Sequence, residues 1–374
     1  MPVFLDRRLL RNLDYSLILA VLTLCVIGFA IVFSATRGGI GPGSPQDPLY
    51  FVKRQVAAFG LGTLACVAVL TTDYRLAGRA HRALYAANVG LLSLVLVMGH
   101  RISGAQSWFR IGPVALQPSE LAKVALILTL ARHLCEAHDL ATNRGVALAL
   151  LHAAVPAGLV LLQNDLGTAL VFCGITFAML YVAGAPTRTL LAVAGAGALA
   201  SPVVFFFLLK DYQRARLLAF LNPYADPTGT GYNVIQSTIA IGSGRFFGKG
   251  LFRGTQAHLN FLPAHHTDFI FSVIGEEFGF IGAVVVLALF GFVLWRCLHA
   301  AALAKDAFGR LVATGVAAMI LFHVLVNVGM TMSLMPVTGI PLPFLSYGGS
   351  SLMANLIAIG FVLDVYMRRQ KILF

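Results

Sequence analysis

Residues Phe261 to Gly279 read FLPAHHTDFIFSVIGEEFG and lead into an apolar segment that runs from Phe269 to Leu298. About 20 apolar residues cross a bilayer as a helix, so the segment from Phe269 onward is read as a membrane span. Thr267 and Asp268 stand at its threshold, where the chain leaves water. A carboxylate at that address is costly, which makes Asp268 a functional candidate in need of a partner. Glu276, eight residues on, shares a helical face with Asp268, while Glu277 is turned by about a further 100°. Two carboxylates more than two turns into a span must pair or hydrogen-bond within the bundle.

The rest of the chain has the same character. Of 374 residues, 58% are hydrophobic and 11% charged, against about 25% charged in soluble chains. That composition is that of an integral membrane protein. Apolar runs recur at 14–34, 51–70, 81–98, 119–138, 147–162, 165–183, 188–209, 268–298, 310–333 and 350–367. They predict an all-α protein of ten transmembrane helices, a single polytopic domain over 1–374. Arg7, Arg8 and Arg11 precede the first run as in a signal peptide, but Tyr15 to Ser34 is too long for a signal-peptide core and is read as a retained span.

An even number of crossings puts both termini on one side. Of the 27 Lys and Arg, 15 fall on that side, 11 on the other and Lys123 within the membrane, so both termini are expected in the cytoplasm. The outer surplus reflects either long loops that translocate regardless of charge or a site for phosphate. The net charge of +12 comes without a basic block or interleaved aromatics, so the anionic partners it suits are lipid headgroups or a phosphorylated lipid, and not nucleic acid. The five cysteines are scattered singly, with no metal or disulfide spacing.

Outer loops are expected at about 99–118, 210–267 and 334–349. The first carries Gly, Pro and aromatics suited to the membrane interface, and Val234 to Ile241 in the second is read as a short interfacial helix. The third, around PVTGIPLPFLSYGGSS (336–351), cannot continue a helix and must be buried in protein or line a cavity. It is either a structural re-entrant loop or, through Ser346, Tyr347 and the glycine amides, part of a phosphate cradle.

Three further groups can do chemistry. Glu120 and Lys123 share a face after Gln117-Pro118-Ser119, as an internal ion pair or as a cavity-lining pair that touches substrate. Asp165 sits between two apolar runs, where it either caps the sixth helix or completes a buried network. His265, His266, Asp268, Glu276 and Glu277 form the densest titratable cluster, but HHxD offers no zinc spacing.

These segments together resemble a known family. QPSELAK (117–123), DLGTA (165–169), GTGYNVIQSTIAIGSG (229–244), FLPAHHTDFIF (261–271) and PVTGIPLPFLSYGGSS (336–351) resemble the SEDS family of shape, elongation, division and sporulation proteins, over nearly the whole chain. GSGRFFGKGLFRGTQ (242–256) and the Pro-Leu-Pro at 341–343 look more like its elongation member than its division member. The resemblance implies a ten-helix, GT-C-like fold and a peptidoglycan glycosyltransferase of the bacterial inner membrane that polymerises lipid II. It also implies a class B penicillin-binding protein as transpeptidase partner.

Carried over by position, the family's essential aspartate falls on Asp268 and its supporting polar residues on Arg110, Glu120, Lys123 and Asp165. Two departures are Ala264, where the family usually has Glu, and Asn164, where it usually has Pro. In the implied reaction Asp268 takes the proton from the acceptor's 4-hydroxyl, which attacks C1 of the donor with inversion. Arg110, Arg216, Arg245 and Lys249 are the candidate cations for the departing pyrophosphate, with a divalent ion, Mg²⁺ or Mn²⁺, as a candidate beside them. His266, Thr267, Ser346 and Tyr347 complete the expected surroundings of lipid II and the nascent glycan. The runner-up is a lipid II flippase without chemistry, with Lys123, Glu120 and Asp165 along its path.

Overall fold

A computed structural model describes residues 11–37, 47–102, 105–111, 114–137, 140–259 and 261–369. Arg7, Arg8 and Lys371, counted above on the cytoplasmic side, lie outside these residues. The elements in order are α1 (Tyr15–Thr36), α2 (Tyr50–Thr71), α3 (Tyr74–Arg79), α4 (His81–Met98), β1 (His100–Ile102), β2 (Ala105–Ile111) and β3 (Val114–Leu116). There follow α5 (Pro118–Glu136), α6 (Asn143–Leu162), α7 (Leu166–Val182), α8 (Thr187–Val203), α9 (Asp211–Leu221), α10 (Tyr232–Ser243) and α11 (Thr255–His258). The chain closes with α12 (Ile270–Ala302), α13 (Ala307–Thr331) and α14 (Gly349–Met367).

Each of the ten apolar runs is helical. Among the described residues, eight helices are long and apolar enough to cross a membrane. Of the other two, α7 is apolar but 17 residues long, and α5 carries Glu120, Lys123, Arg132 and Glu136. Polarity is inverted relative to a soluble bundle. Large apolar side chains such as Leu64, Val97, Leu199 and Phe207 face outward, while Gln55, Lys123, Gln163, His323, Asn327, Asn355 and Asp364 are buried. With hydrocarbon as the solvent, polar groups are satisfied inside the protein and apolar ones cover it. The interior helices are α13 and α14. α14 packs along α2, and α13 packs against α7 and α12.

Helix ends are capped where they must be. Asp14, Thr142, Asp165 and Asp306 accept from backbone N–H groups of the first turns of α1, α6, α7 and α13. Arg369 Nη1 donates to the Asn12 carbonyl at 3.0 Å, so the two ends of the described chain meet at one end of the bundle. Asp14 and Arg296 pair there at 2.6 Å. α12 runs from this end to Asp268 at the other.

Three local features depart from the sequence reading. The loop expected at 99–118 contains a small antiparallel sheet of order β1-β2-β3, in which Arg101 stands opposite Gln106 and Arg110 opposite Ala115. The interfacial helix is α10, and it is not free: Val234, Ser237 and Ala240 are buried, and it packs on α12. The long run after Asp268 is broken at Gly279, whose φ of 64° and ψ of −159° leave the helical region. The backbone groups freed there bond to the preceding loop: Lys249 N–H to Glu276 O at 3.0 Å, Gly250 N–H to Glu277 O at 2.9 Å and Phe280 N–H to Arg245 O at 2.9 Å. A side chain at Gly279 would collide with the backbone nitrogen of Gly248, so the position requires glycine.

Candidate active site

Asp268 lies in a series of turns just before α12, not on the helix. Its backbone is fixed from two sides. The Asn327 amide of α13 donates to the Asp268 carbonyl at 2.8 Å and to the Ile340 carbonyl at 2.7 Å. Ser346 Oγ donates to the Thr267 carbonyl at 2.6 Å, and Tyr347 N–H to the His266 carbonyl at 2.9 Å. The irregular loop between α13 and α14 is thereby sewn to the turn that carries the aspartate.

Asp268 opens into a cavity of about 330 Å³. Asp165 and Gln117 form one wall, and Gln213, Arg216 and Leu217 of α9 form another. Spaced at i, i+3 and i+4, these α9 residues share a face. Val337, Thr338 and Gly339 supply the floor beside Asp268, and Trp108 of β2 and Tyr347 the rim. Gly339 has φ +74°, and a Cβ there would stand 3.3 Å from Asp268 Oδ2, so only glycine lets the loop approach the carboxylate so closely. Burial pushes the Asp268 carboxyl up to about 6, with Arg216 and the Thr267 hydroxyl opposing and Asp165 adding to the shift. Asp165 is likewise raised by burial, although Thr168 N–H and Oγ1 bond its oxygens at 2.9 and 2.8 Å. A carboxyl held near 6 can change protonation around neutral pH, as a general base must.

The sequence-predicted residues divide. Asp268, Thr267, Asp165, Arg216 and Tyr347 line one cavity. Asp165 is also the cap of α7, whereas Lys123 bonds Glu120 and His323 rather than Asp165. Glu120 and Lys123 are an internal ion pair at 2.8 Å, buried, and neither lines the cavity. Arg110 is exposed on β2, two residues from Trp108 and on the same strand face, beside the rim. His266 packs its ring against Phe51 and Tyr347, and burial beside His265 holds it at about 4 and neutral. Ser346 is occupied in holding the loop, since it also accepts from Leu342 N–H at 2.8 Å. Among the described residues no three His, Cys, Asp or Glu converge on a metal position.

Lys249 and Arg245 are corrections. Lys249 Nζ pairs with Glu276 at 2.6 Å and donates to Thr255 Oγ1 at 2.8 Å, and neither cation lines the cavity. The reason is the break at Gly279, which takes their segment to brace the bend. Glu276 does not share a helical face with Asp268 because the helix begins only at Ile270, and Glu276 accepts from Lys249, Thr255 and Gln256. Lys249→Met should therefore lower stability by up to about 3 kcal/mol, since Glu276 keeps a buried charge with only neutral donors. Turnover per folded molecule should change less than threefold. Thermal unfolding in detergent together with an activity assay checks this, and lost turnover at an unchanged melting temperature would return Lys249 to the site.

Four contributors escaped the sequence reading: Trp108, Gln117, His323 and Asn327. The last two left a faint signal, as polar residues spaced i, i+4 within an otherwise apolar run.

The fold and cavity define a polytopic membrane protein with a cavity lined by two carboxyls at the end of the bundle remote from its termini. The family described as FTSW_RODA_SPOVE, cell cycle protein, matches residues 15–371, and the chain belongs to that family. It is 36% identical over 363 residues to the peptidoglycan glycosyltransferase MrdB of Escherichia coli K12, covering 96% of this chain and 95% of that one. Among solved structures it resembles a chain from a work titled "Structural coordination of polymerization and crosslinking by a peptidoglycan synthase complex", with a TM-score of 0.80, 40% identity and coverage of 95% and 97%. It also resembles the rod shape determining protein RodA of Thermus thermophilus, with a TM-score of 0.72, 35% identity and coverage of 96% and 98%.

Proposed function

We propose that this protein is a peptidoglycan glycosyltransferase that polymerises lipid II into glycan strands, with loss of undecaprenyl pyrophosphate, for cell elongation and rod shape. One observation carries the mechanism: a carboxylate raised by burial and a guanidinium that acts on it line the same cavity at the mouth of a helical bundle. Asp268 takes the proton from the acceptor's 4-hydroxyl as that oxygen attacks C1 of the donor's N-acetylmuramic acid on the face opposite the pyrophosphate. Because the leaving group is already good, a single base suffices and no glycosidase-type acid is needed. Arg216 meets the negative charge that grows on the departing pyrophosphate. Arg110, at the rim, assists in capturing the headgroup.

The donor set fits a divalent cation held chiefly by substrate. Mg²⁺ takes one or two carboxylates plus phosphate oxygens, and Asp165 and Asp268 line the same cavity. Such an ion would neutralise pyrophosphate charge; Asp165 is the residue that would hold it, with Asp268 kept as the base.

The end of the bundle where the termini meet carries Arg75, Arg296, Arg310, Arg368 and Arg369, which by the positive-inside rule is the cytoplasmic end and leaves Asp268 on the outer side. The likeness to a chain of a synthase complex supports a class B penicillin-binding protein as the transpeptidase that cross-links the product. A flippase reading needs charges lining a path through the full depth of the membrane. Lys123 instead donates to Glu120 and to His323, both within the bundle.

The test is polymerisation of labelled lipid II by the purified protein in lipid vesicles, with and without the transpeptidase and Mg²⁺. A ladder of glycan strands is expected. Headgroup transfer across sealed vesicles with no polymer under any condition would replace this reading with transport.

A further inference from the structure

His323 and Asn327 stand four residues apart on one face of α13, and both side chains are fully buried. Lys123 Nζ lies 2.8 Å from Glu120 Oε1 and 2.9 Å from His323 Nε2. An ammonium has only protons to give, so Nε2 accepts and the imidazole carries its hydrogen on Nδ1. That Nδ1–H donates to the Pro341 carbonyl at 3.1 Å. One turn along, Asn327 holds the neighbouring Ile340 carbonyl together with that of Asp268. Two consecutive carbonyls of the irregular loop are therefore gripped by one helix face. The residue before them, Gly339, is the one at which a Cβ would stand 3.3 Å from the Asp268 carboxylate.

We propose that His323 is a positioning residue for the transfer reaction: it ties the loop at Pro341 to the Glu120–Lys123 pair, and so sets the seat of Asp268 without touching substrate. This rests on the glycosyl-transfer reading of the cavity. A buried ion pair is a weak source of stability, and a packed apolar pair of similar volume often does as well. What the pair supplies here that leucines would not is a fixed donor, which selects the imidazole tautomer able to hold the loop. The groups facing Asp268 are Gly339 and Tyr347 from the loop, Arg216 from α9, and Asp165 at the head of α7. If the loop slackens, water reaches the carboxyl while Arg216 and Asp165 stay in place.

The experiment compares the purified full-length protein with His323→Leu, His323→Asn and His323→Gln in vesicles containing lipid II. Leucine keeps neither hydrogen bond, asparagine keeps a donor near Nδ1, and glutamine keeps an acceptor near Nε2. His323→Leu should lose about 10²-fold in kcat, the cost of a misplacement of about 1 Å, with KM within about threefold. The asparagine and glutamine variants should fall between leucine and the parent. In each, the acid limb of the pH–rate profile should move from near 6 toward the ordinary carboxyl value of about 4. Infrared titration of the Asp268 carboxyl, assigned by its loss in Asp268→Asn, reads the same shift without turnover. An unshifted titration in a folded variant, or kcat and pH limb matching the parent, overturns the proposal, and the asparagine and glutamine variants decide if leucine fails to fold. A parent protein that makes no polymer but whose carboxyl shifts in the variants overturns the functional reading and leaves the positioning role standing.

Discussion

Asp268→Asn should give a folded protein that builds no glycan strand, with turnover down by about 10² to 10⁴-fold, the range spanned by removal of a general base. Asparagine matches the carboxylate in shape and keeps the Asn327 bond to the Asp268 carbonyl, so the loss belongs to the proton. The parent enzyme should gain activity as pH rises through about 6, where the half-buried carboxyl ionises. Stability should move the other way. A carboxyl whose folded value lies above its unfolded value of about 4 contributes in full below that value, and the contribution is lost as pH climbs through about 6. The asparagine variant should thus match the parent in melting temperature near pH 4 and exceed it at pH 7.5. Normal strand length from purified Asp268→Asn would assign the proton to another group.

Arg216→Ala should have the second largest effect, about 10²-fold in kcat, comparable to removing one preorganised donor from a developing anion. It carries a separate signature. Arg216 holds the Asp268 carboxyl below where burial alone would put it, so its loss should move the acid limb of the pH profile upward, above 6. Arg216→Lys should restore the limb more than the rate, because an ammonium supplies charge without the planar fork suited to phosphate. Arg110→Ala, at the rim, should raise KM for lipid II and leave the limb in place. If Arg110→Ala and Arg216→Ala exchange these signatures, the pyrophosphate lies toward β2 rather than α9.

Legibility in the sequence followed the range of the interactions. The helices were plain because hydrocarbon demands long apolar runs, and every such run is helical. Asp268 and Asp165 were plain because a carboxylate at the edge of an apolar run has few reasons to be there. What could not be read was which cations reach Asp268. Arg216 and Lys249 look alike as outer basic residues, and only the break at Gly279, which draws Lys249 to Glu276, separates them. The sheet at β1 to β3 was hidden because its strands are only three to seven residues long, too short to carry a period-2 pattern. His323 and Asn327 were lost in an apolar helix, where a lone polar residue carries no sign of the loop it holds.

The bend at Gly279 also fixes how thick a membrane this chain fits. From Phe280 to Ala302 the second limb of α12 has 23 residues, a length of about 35 Å at 1.5 Å per residue. That matches a hydrocarbon slab of about 30 Å with modest tilt. The first limb then rises out of the acyl-chain layer, and Glu276, Glu277 and the acid before them ride at headgroup depth. The lipid-tethered sugars are anchored at that same depth, so the reacting hydroxyl and the acid would meet in one plane with no need to draw either polyprenyl tail toward water.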